Sequence, residues 1–136
     1  MIIFVRRRDA EKWQYISCGK NHTLAINNLN NVYSTGYNKH GELGLAHSTS
    51  TDYFTLIDSV NNIMAVSAGC ISLFLNNSYQ LFVSGKGKLN GCPEGKDKFS
   101  PEIIPKLENQ NISSFSSGYT HSAYINSTGE MVMNSN

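Results

Sequence analysis

A chain of 136 residues fits one domain, and 11 Lys+Arg against 10 Asp+Glu leave a net charge of +1. Charged residues make up 15%, below the about 25% of an average domain, and 16 asparagines fill the difference. That balance excludes a strong field steering the chain to nucleic acid or to anionic lipid, so neither direct nucleic-acid binding nor a membrane partner is expected.

No stretch approaches the ~20 consecutive apolar residues of a membrane helix. The apolar Ile2–Val5 precedes Arg6, Arg7 and Arg8, the reverse of the order in a secretory signal. Cys18, Cys70 and Cys92 are odd in number and include no CxxC pair, which argues against a disulfide framework. A reducing compartment follows: intracellular, cytoplasm or nucleus. The Asn-x-Ser/Thr sequons at Asn21, Asn76, Asn111 and Asn126 are then chance products of an Asn-rich chain.

Taken in order, the chain reads as three copies of one unit. An apolar stretch at Ile2–Val5 leads through a charged connection to Tyr15-Ile16-Ser17-Cys18-Gly19. Phe54-Thr55-Leu56-Ile57 and Ala65-Val66-Ser67-Ala68-Gly69 repeat it, as do Ile103-Ile104 and Ser114-Phe115-Ser116-Ser117-Gly118. A second strand follows each glycine: Thr23–Ile26, Ser72–Leu75 and Ser122–Ile125, each opening on a hydroxyl residue. Five-residue turns come next (27–31, 76–80 and 126–130), and then third strands at Val32–Ser34, Leu81–Val83 and Met131–Met133. The first two of these reach Gly36 and Gly85.

Gly19 and Gly69 are 50 residues apart, and Gly69 and Gly118 are 49 apart. Self-similarity at about 40–50 residues, with several short strands per unit, is the mark of a propeller blade. The expected fold is all-β: a partial β-propeller arc of about three antiparallel blades, not a closed ring on its own. The domain is expected to span 1–136, with repeats at about 1–50, 51–99 and a truncated 100–136. Alternation of Leu24 and Ile26 with Thr23 and Ala25 gives a face that packs on the neighbouring blade. Small residues before Gly19, Gly69 and Gly118 suit close backbone approach where blades converge.

Two motifs in the first copy, Gly19-Lys-Asn-His-Thr-Leu-Ala-Ile and Gly36-Tyr-Asn-Lys-His-Gly-Glu-Leu-Gly, resemble the regulator-of-chromosome-condensation repeat family. The first copy matches that pattern at Gly19, His22, Thr23, Leu24, Gly36, Asn38, Gly41, Leu43 and Gly44. The third matches at Gly118, His121, Ser122 and Gly129. The middle copy keeps Gly69, Ser72 and Gly85 but has no histidine. Thr35, Ser84 and Asn134 stand where the family has tryptophan. The resemblance implies a ring of about seven blades, inside the usual range of 4–8. Three blades cannot close it, so the chain is expected to be part of a longer protein, a truncated reading frame or a piece completed by partners.

The repeat positions Gly19, His22, Gly36, Gly41, Gly44, Gly69, Gly85, Gly118 and His121 are expected to be structural. A catalytic residue need not be copied blade by blade, so His22 and His121 are expected to hydrogen-bond backbone near the blade turns. His40 and His47 have no zinc-type spacing. Gly85-Lys-Gly-Lys-Leu-Asn-Gly lacks the Gly-Lys-Ser/Thr ending of a phosphate loop. Three arginines are too short a basic cluster to be more than a solvated edge, and Cys18 is expected to be a buried small residue. No catalytic residue, cofactor or metal is expected. The chain is expected to be a non-enzymatic protein-protein interaction module with an unnamed protein partner, its non-repeating loops after Gly44 and Gly85 carrying recognition. The resemblance implies one alternative, guanine-nucleotide exchange on a Ran-type small GTPase. A decayed fragment without function is a third reading.

Overall fold

The computed structural model describes residues 12–135; the expected Ile2–Val5 strand and the run Arg6, Arg7 and Arg8 lie outside them. Three antiparallel sheets form among the described residues, each an up-and-down ladder. The first holds β1 (Trp13–Cys18), β2 (His22–Asn27), β3 (Val32–Gly36) and β4 (Thr51–Leu56). The second holds β5 (Ile63–Ala68), β6 (Ile71–Asn76), β7 (Leu81–Gly85) and β8 (Lys98–Ile103). The third holds β9 (Ile112–Ser117), β10 (His121–Asn126) and β11 (Met131–Ser135). This is an open all-β arc of three antiparallel blades. The sheets run out of phase with the sequence repeat: the strand around Phe54 completes the first sheet, and the strand ending at Ile103 completes the second.

The turns show why these residues fold as they do. Asn27, Asn76 and Asn126 each aim Oδ1 at the backbone N–H groups two and four residues on, at 2.9–3.1 Å. That side-chain cap closes each hairpin between the second and third strands. The fourth residue of each turn has positive φ: 61° at Asn30, 63° at Tyr79 and 87° at Gly129. In this conformation the carbonyl of Asn30 accepts from Ile63 N–H at 3.1 Å, and that of Tyr79 accepts from Ile112 N–H at 3.0 Å. The turn of one blade is thereby tied to the first strand of the next.

Apolar side chains fill the two spaces between blades. Leu24, Ile26, Val32 and Ile57 of the first blade meet Ile63, Val66, Ala68 and Phe74 of the second. Leu73, Leu75, Leu81 and Ile104 on the other side of the second blade meet Ile112 and Tyr124 of the third. A strand buried on both faces must be apolar at nearly every position, and β6, Ile71-Ser72-Leu73-Phe74-Leu75, is buried throughout that run.

Where the first strands end, the blades come close enough for backbone contact. Lys20 N–H donates to Gly69 O at 3.0 Å, and Cys70 N–H to Gly118 O at 3.4 Å. Beside them, Ala68 N–H donates to Ser17 Oγ and Ser117 N–H to Ser67 Oγ, both at 3.0 Å. A Cβ on Gly19 would stand 2.4 Å from Gly69 O, and one on Gly69 would stand 2.3 Å from Gly118 O. Only glycine leaves the carbonyl that room.

Two outcomes follow. Gly69→Ala pushes the second and third blades apart and costs about 2–3 kcal/mol, measured by urea denaturation. Tyr79→Gly relieves a left-handed conformation worth about 1–2 kcal/mol, partly offset by glycine's extra chain entropy. It leaves the carbonyl in place, so a gain of about 0.5–1 kcal/mol is expected in the same measurement.

Candidate functional site

The short β1–β2, β5–β6 and β9–β10 turns and the long β3–β4 and β7–β8 loops all emerge at one end of the arc. They enclose a cleft of about 300 Å³ over the line of converging glycines. Its walls carry Lys20, Lys86 and Lys88 together with Tyr37 and Tyr119, and one carboxylate, the buried Glu42. Lys20 Nζ donates to Tyr119 Oη at 2.8 Å and lies 4.5 Å from the ring centroid, beside the hydroxyl rather than over the ring face. That bond raises the Lys20 ammonium pKa above its ordinary value.

Buried amides shape the two loops. Asn38 donates from Nδ2 to the carbonyls of His47 (2.8 Å) and Thr49 (3.0 Å), and accepts Leu43 N–H on Oδ1 at 3.0 Å. Asn90 does the same in the second loop, donating to Gly85 O and Lys96 O and accepting Cys92 N–H. Both are wholly buried. The loops are also tied to each other. His40 Nδ1 lies 2.9 Å from Asp97 Oδ2, and Asp97 Oδ1 accepts Gly87 N–H at 2.8 Å. Burial pushes the Asp97 carboxyl up, but the Gly87 N–H and His40 outweigh it and hold it below the usual range.

Behind the cleft lies a three-member relay between blades. Ser72 Oγ donates its one proton to the carbonyl of Glu42. His22 Nε2, 2.7 Å from the same oxygen, must therefore be the donor in that bond. Burial lowers the His22 pKa from 6.5 to about 4, so the imidazole is neutral at pH 7. In the middle blade Ile71 replaces the histidine and joins the apolar cluster. The hydroxyl left without it, Ser122 Oγ, pairs instead with Tyr124 Oη at 2.7 Å.

The sequence-named positions divide as follows. Gly19, Gly69 and Gly118 line up under the cleft; Gly36 and Gly85 end β3 and β7 with positive φ; Gly41 and Gly44 bend the first long loop. His22 bonds a side-chain hydroxyl of the next blade rather than backbone, and His121 is exposed. Cys18, expected to be buried, is exposed because the outer face of the first blade has no described blade against it. His47 Nδ1 accepts Thr49 N–H and stands apart from His40. Of the two non-repeating loops, the one after Gly85 supplies Lys86 and Lys88 to the cleft, whereas the segment after Gly44 does not reach it. Sequence reasoning missed Tyr37, Tyr119 and Asn90. The Asn90-Gly91 pair in a loop was the available mark for the last. Ser84 and Asn134, in the family's tryptophan position, reach back to the preceding blade's loop, Ser84 to Gly41 O and Asn134 to Leu89 O.

The burial of His22 sets a pH dependence. The folded His22 pKa lies below the unfolded value, so its contribution is complete above pH 6.5 and is lost as pH falls toward 4. The loss is on the order of 3 kcal/mol. Urea titrations at pH 7, 5.5 and 4 should show it, and His22→Gln should flatten most of that slope.

Comparison with known proteins agrees with this architecture. A family model described as "Regulator of chromosome condensation (RCC1) repeat" matches residues 13–42. The probable E3 ubiquitin-protein ligase HERC4 of Homo sapiens is 27% identical over 120 residues, 84% of this chain and 11% of that protein. The human X-linked retinitis pigmentosa GTPase regulator is 36% identical over 85 residues, 60% of this chain and 8% of that protein. The chain thus spans about a tenth of the length of these curated relatives. Among solved structures, human WBSCR16 superposes with a TM-score of 0.80 at 21% identity, over 94% of this chain and 34% of that one. Prp20p of Saccharomyces cerevisiae superposes with a TM-score of 0.78 at 22% identity, over 89% of this chain and 32% of that one. Residues 13–42 thus match one repeat of the regulator-of-chromosome-condensation type, and the three-bladed arc shares its fold with these solved structures.

Proposed function

We propose that this chain is a non-catalytic protein interaction module that receives an acidic, extended segment of a partner protein in the lysine–tyrosine cleft. The observation that carries the reading is the grouping of Lys20, Lys86 and Lys88 around one cleft of about 300 Å³ in a chain of net charge +1. Tyr37 and Tyr119 add flat amphipathic surface of the kind interfaces favour. The glycines and repeat histidines then belong to the scaffold, and the loops of successive blades supply recognition. The free thiols Cys18, Cys70 and Cys92 fit a reducing compartment, cytoplasm or nucleus. No helix among the described residues is long and apolar enough to cross a membrane.

Guanine-nucleotide exchange on a Ran-type GTPase is the second reading. Prp20p is described together with its binding properties to Gsp1p and histones, and a likeness at 22% identity supports the fold alone. Exchange would show as faster release of labelled nucleotide from such a GTPase at micromolar chain, and no acceleration removes this reading.

The interaction reading is tested by fluorescence anisotropy with a labelled Glu/Asp-rich peptide at low and physiological salt. Binding should weaken with salt and fall about tenfold in the Lys20→Ala/Lys86→Ala/Lys88→Ala variant. Lys106→Ala, in the connection between β8 and β9, should leave it unchanged. Equal binding by the triple variant and the wild type overturns the assignment of the cleft.

A further inference from the structure

The two junctions between the described blades share three bonds. Going from one blade to the next, the turn carbonyl (Asn30, then Tyr79) accepts from the first residue of the next first strand. The strand serine (Ser17, then Ser67) accepts an N–H from the residue before the next glycine. The residue after the glycine (Lys20, then Cys70) donates to the next glycine's carbonyl. At the first junction, the histidine before the second strand donates to the next blade's hydroxyl.

The third blade presents this whole outgoing set with no blade to receive it among the described residues. Its members are the carbonyl of Gly129, Ser116 Oγ, the N–H of Tyr119 and the imidazole of His121. Ser116 and His121 are exposed. The first blade presents the matching incoming set: the N–H of Trp13, the N–H of Cys18, the carbonyl of Gly19 and Thr23 Oγ1. Thr23 directs its proton to Cys18 Sγ at 3.7 Å, which leaves its lone pairs to accept.

The apolar positions agree. Val32 and Leu81 are buried at the two internal junctions, while their counterpart Met131 is 63% exposed, with Met133 beside it at 61%. On the incoming side Val66 is buried, while its counterpart Ile16 is 64% exposed. The residue that decides between pairing modes also fits. Ser122, which faces an isoleucine, is satisfied by Tyr124 of its own blade; Thr23 has Ala25 at the tyrosine's position and is open to a histidine.

We propose that the exposed face of the third blade docks onto the exposed face of the first blade in a second copy of this chain, head to tail, through these four hydrogen bonds and the Met131–Met133 and Ile16 contacts. The interface is heterologous, so it closes into a ring or extends.

Light scattering after size exclusion of the 136-residue chain, from 1 to 100 µM, tests this. The wild type should show concentration-dependent assembly above the monomer mass. Met131→Glu/Met133→Glu blocks the outgoing face and Ile16→Glu the incoming face, so each variant should be monomeric alone. Mixed together, they retain one good face of each kind and should form a 1:1 heterodimer and nothing larger. Circular dichroism verifies that each is folded. His121→Ala, a milder change at an exposed residue, provides the test if a glutamate variant fails to fold, and should raise the dissociation constant at least about fivefold. A wild type that stays monomeric at 100 µM overturns the proposal. So does assembly by either glutamate variant alone, or a mixture that stays monomeric.

Discussion

A carbonyl oxygen of one blade occupies the space where the preceding blade's glycine would carry its Cβ. At Gly19 and again at Gly69 this approach leaves no room for any side chain. The spacing of the sheets, the path of the turns above them and the shape of the cleft all follow from it. With the backbones held this close, Lys20 and Cys70 can donate directly to the next blade. The serines one turn below repeat the tie, and the apolar layers fill the wedge that opens outward. The turn residues at the opposite end do the same with a carbonyl, and this accounts for a left-handed conformation at Tyr79, where no side chain prefers it.

Much of the fold was legible because repetition is a property of sequence alone. Glycines 50 and 49 residues apart, with hydroxyl-led apolar runs behind them, fix the unit without any knowledge of contacts. Phase was harder to read. The strand around Phe54 opens a repeat in sequence yet closes the first sheet in space, since pairing is set by which edge the long loop returns to. Burial at Cys18 was misjudged for a related reason: sequence shows that a strand has a blade-facing side but not whether a blade is there.

The site was less legible than the fold. A cleft built from turns and loops of three blades has no local pattern, and Lys20, Lys86 and Tyr119 are far apart along the chain. The missing tryptophans looked like lost packing. In space the residues in their place, Ser84 and Asn134, hydrogen-bond the loop of the blade before, so a polar tie stands in for an apolar one. The charge summary also concealed the cleft. A net charge of +1 describes the sum, whereas a ligand meets the local field.

The exchange of His22 for Ile71 makes the junctions unlike one another. A blade that sends out a histidine needs a neighbour whose hydroxyl is unclaimed; one that sends out an isoleucine needs a neighbour with its own tyrosine. Swapping the second and third blades would set His121 against a hydroxyl still lacking an internal partner, but would leave Tyr124 facing His22 across a seam already satisfied. The residue before each second strand therefore acts as an address label. Units of one repeated architecture carry within their seams a mark of the order in which they are stacked.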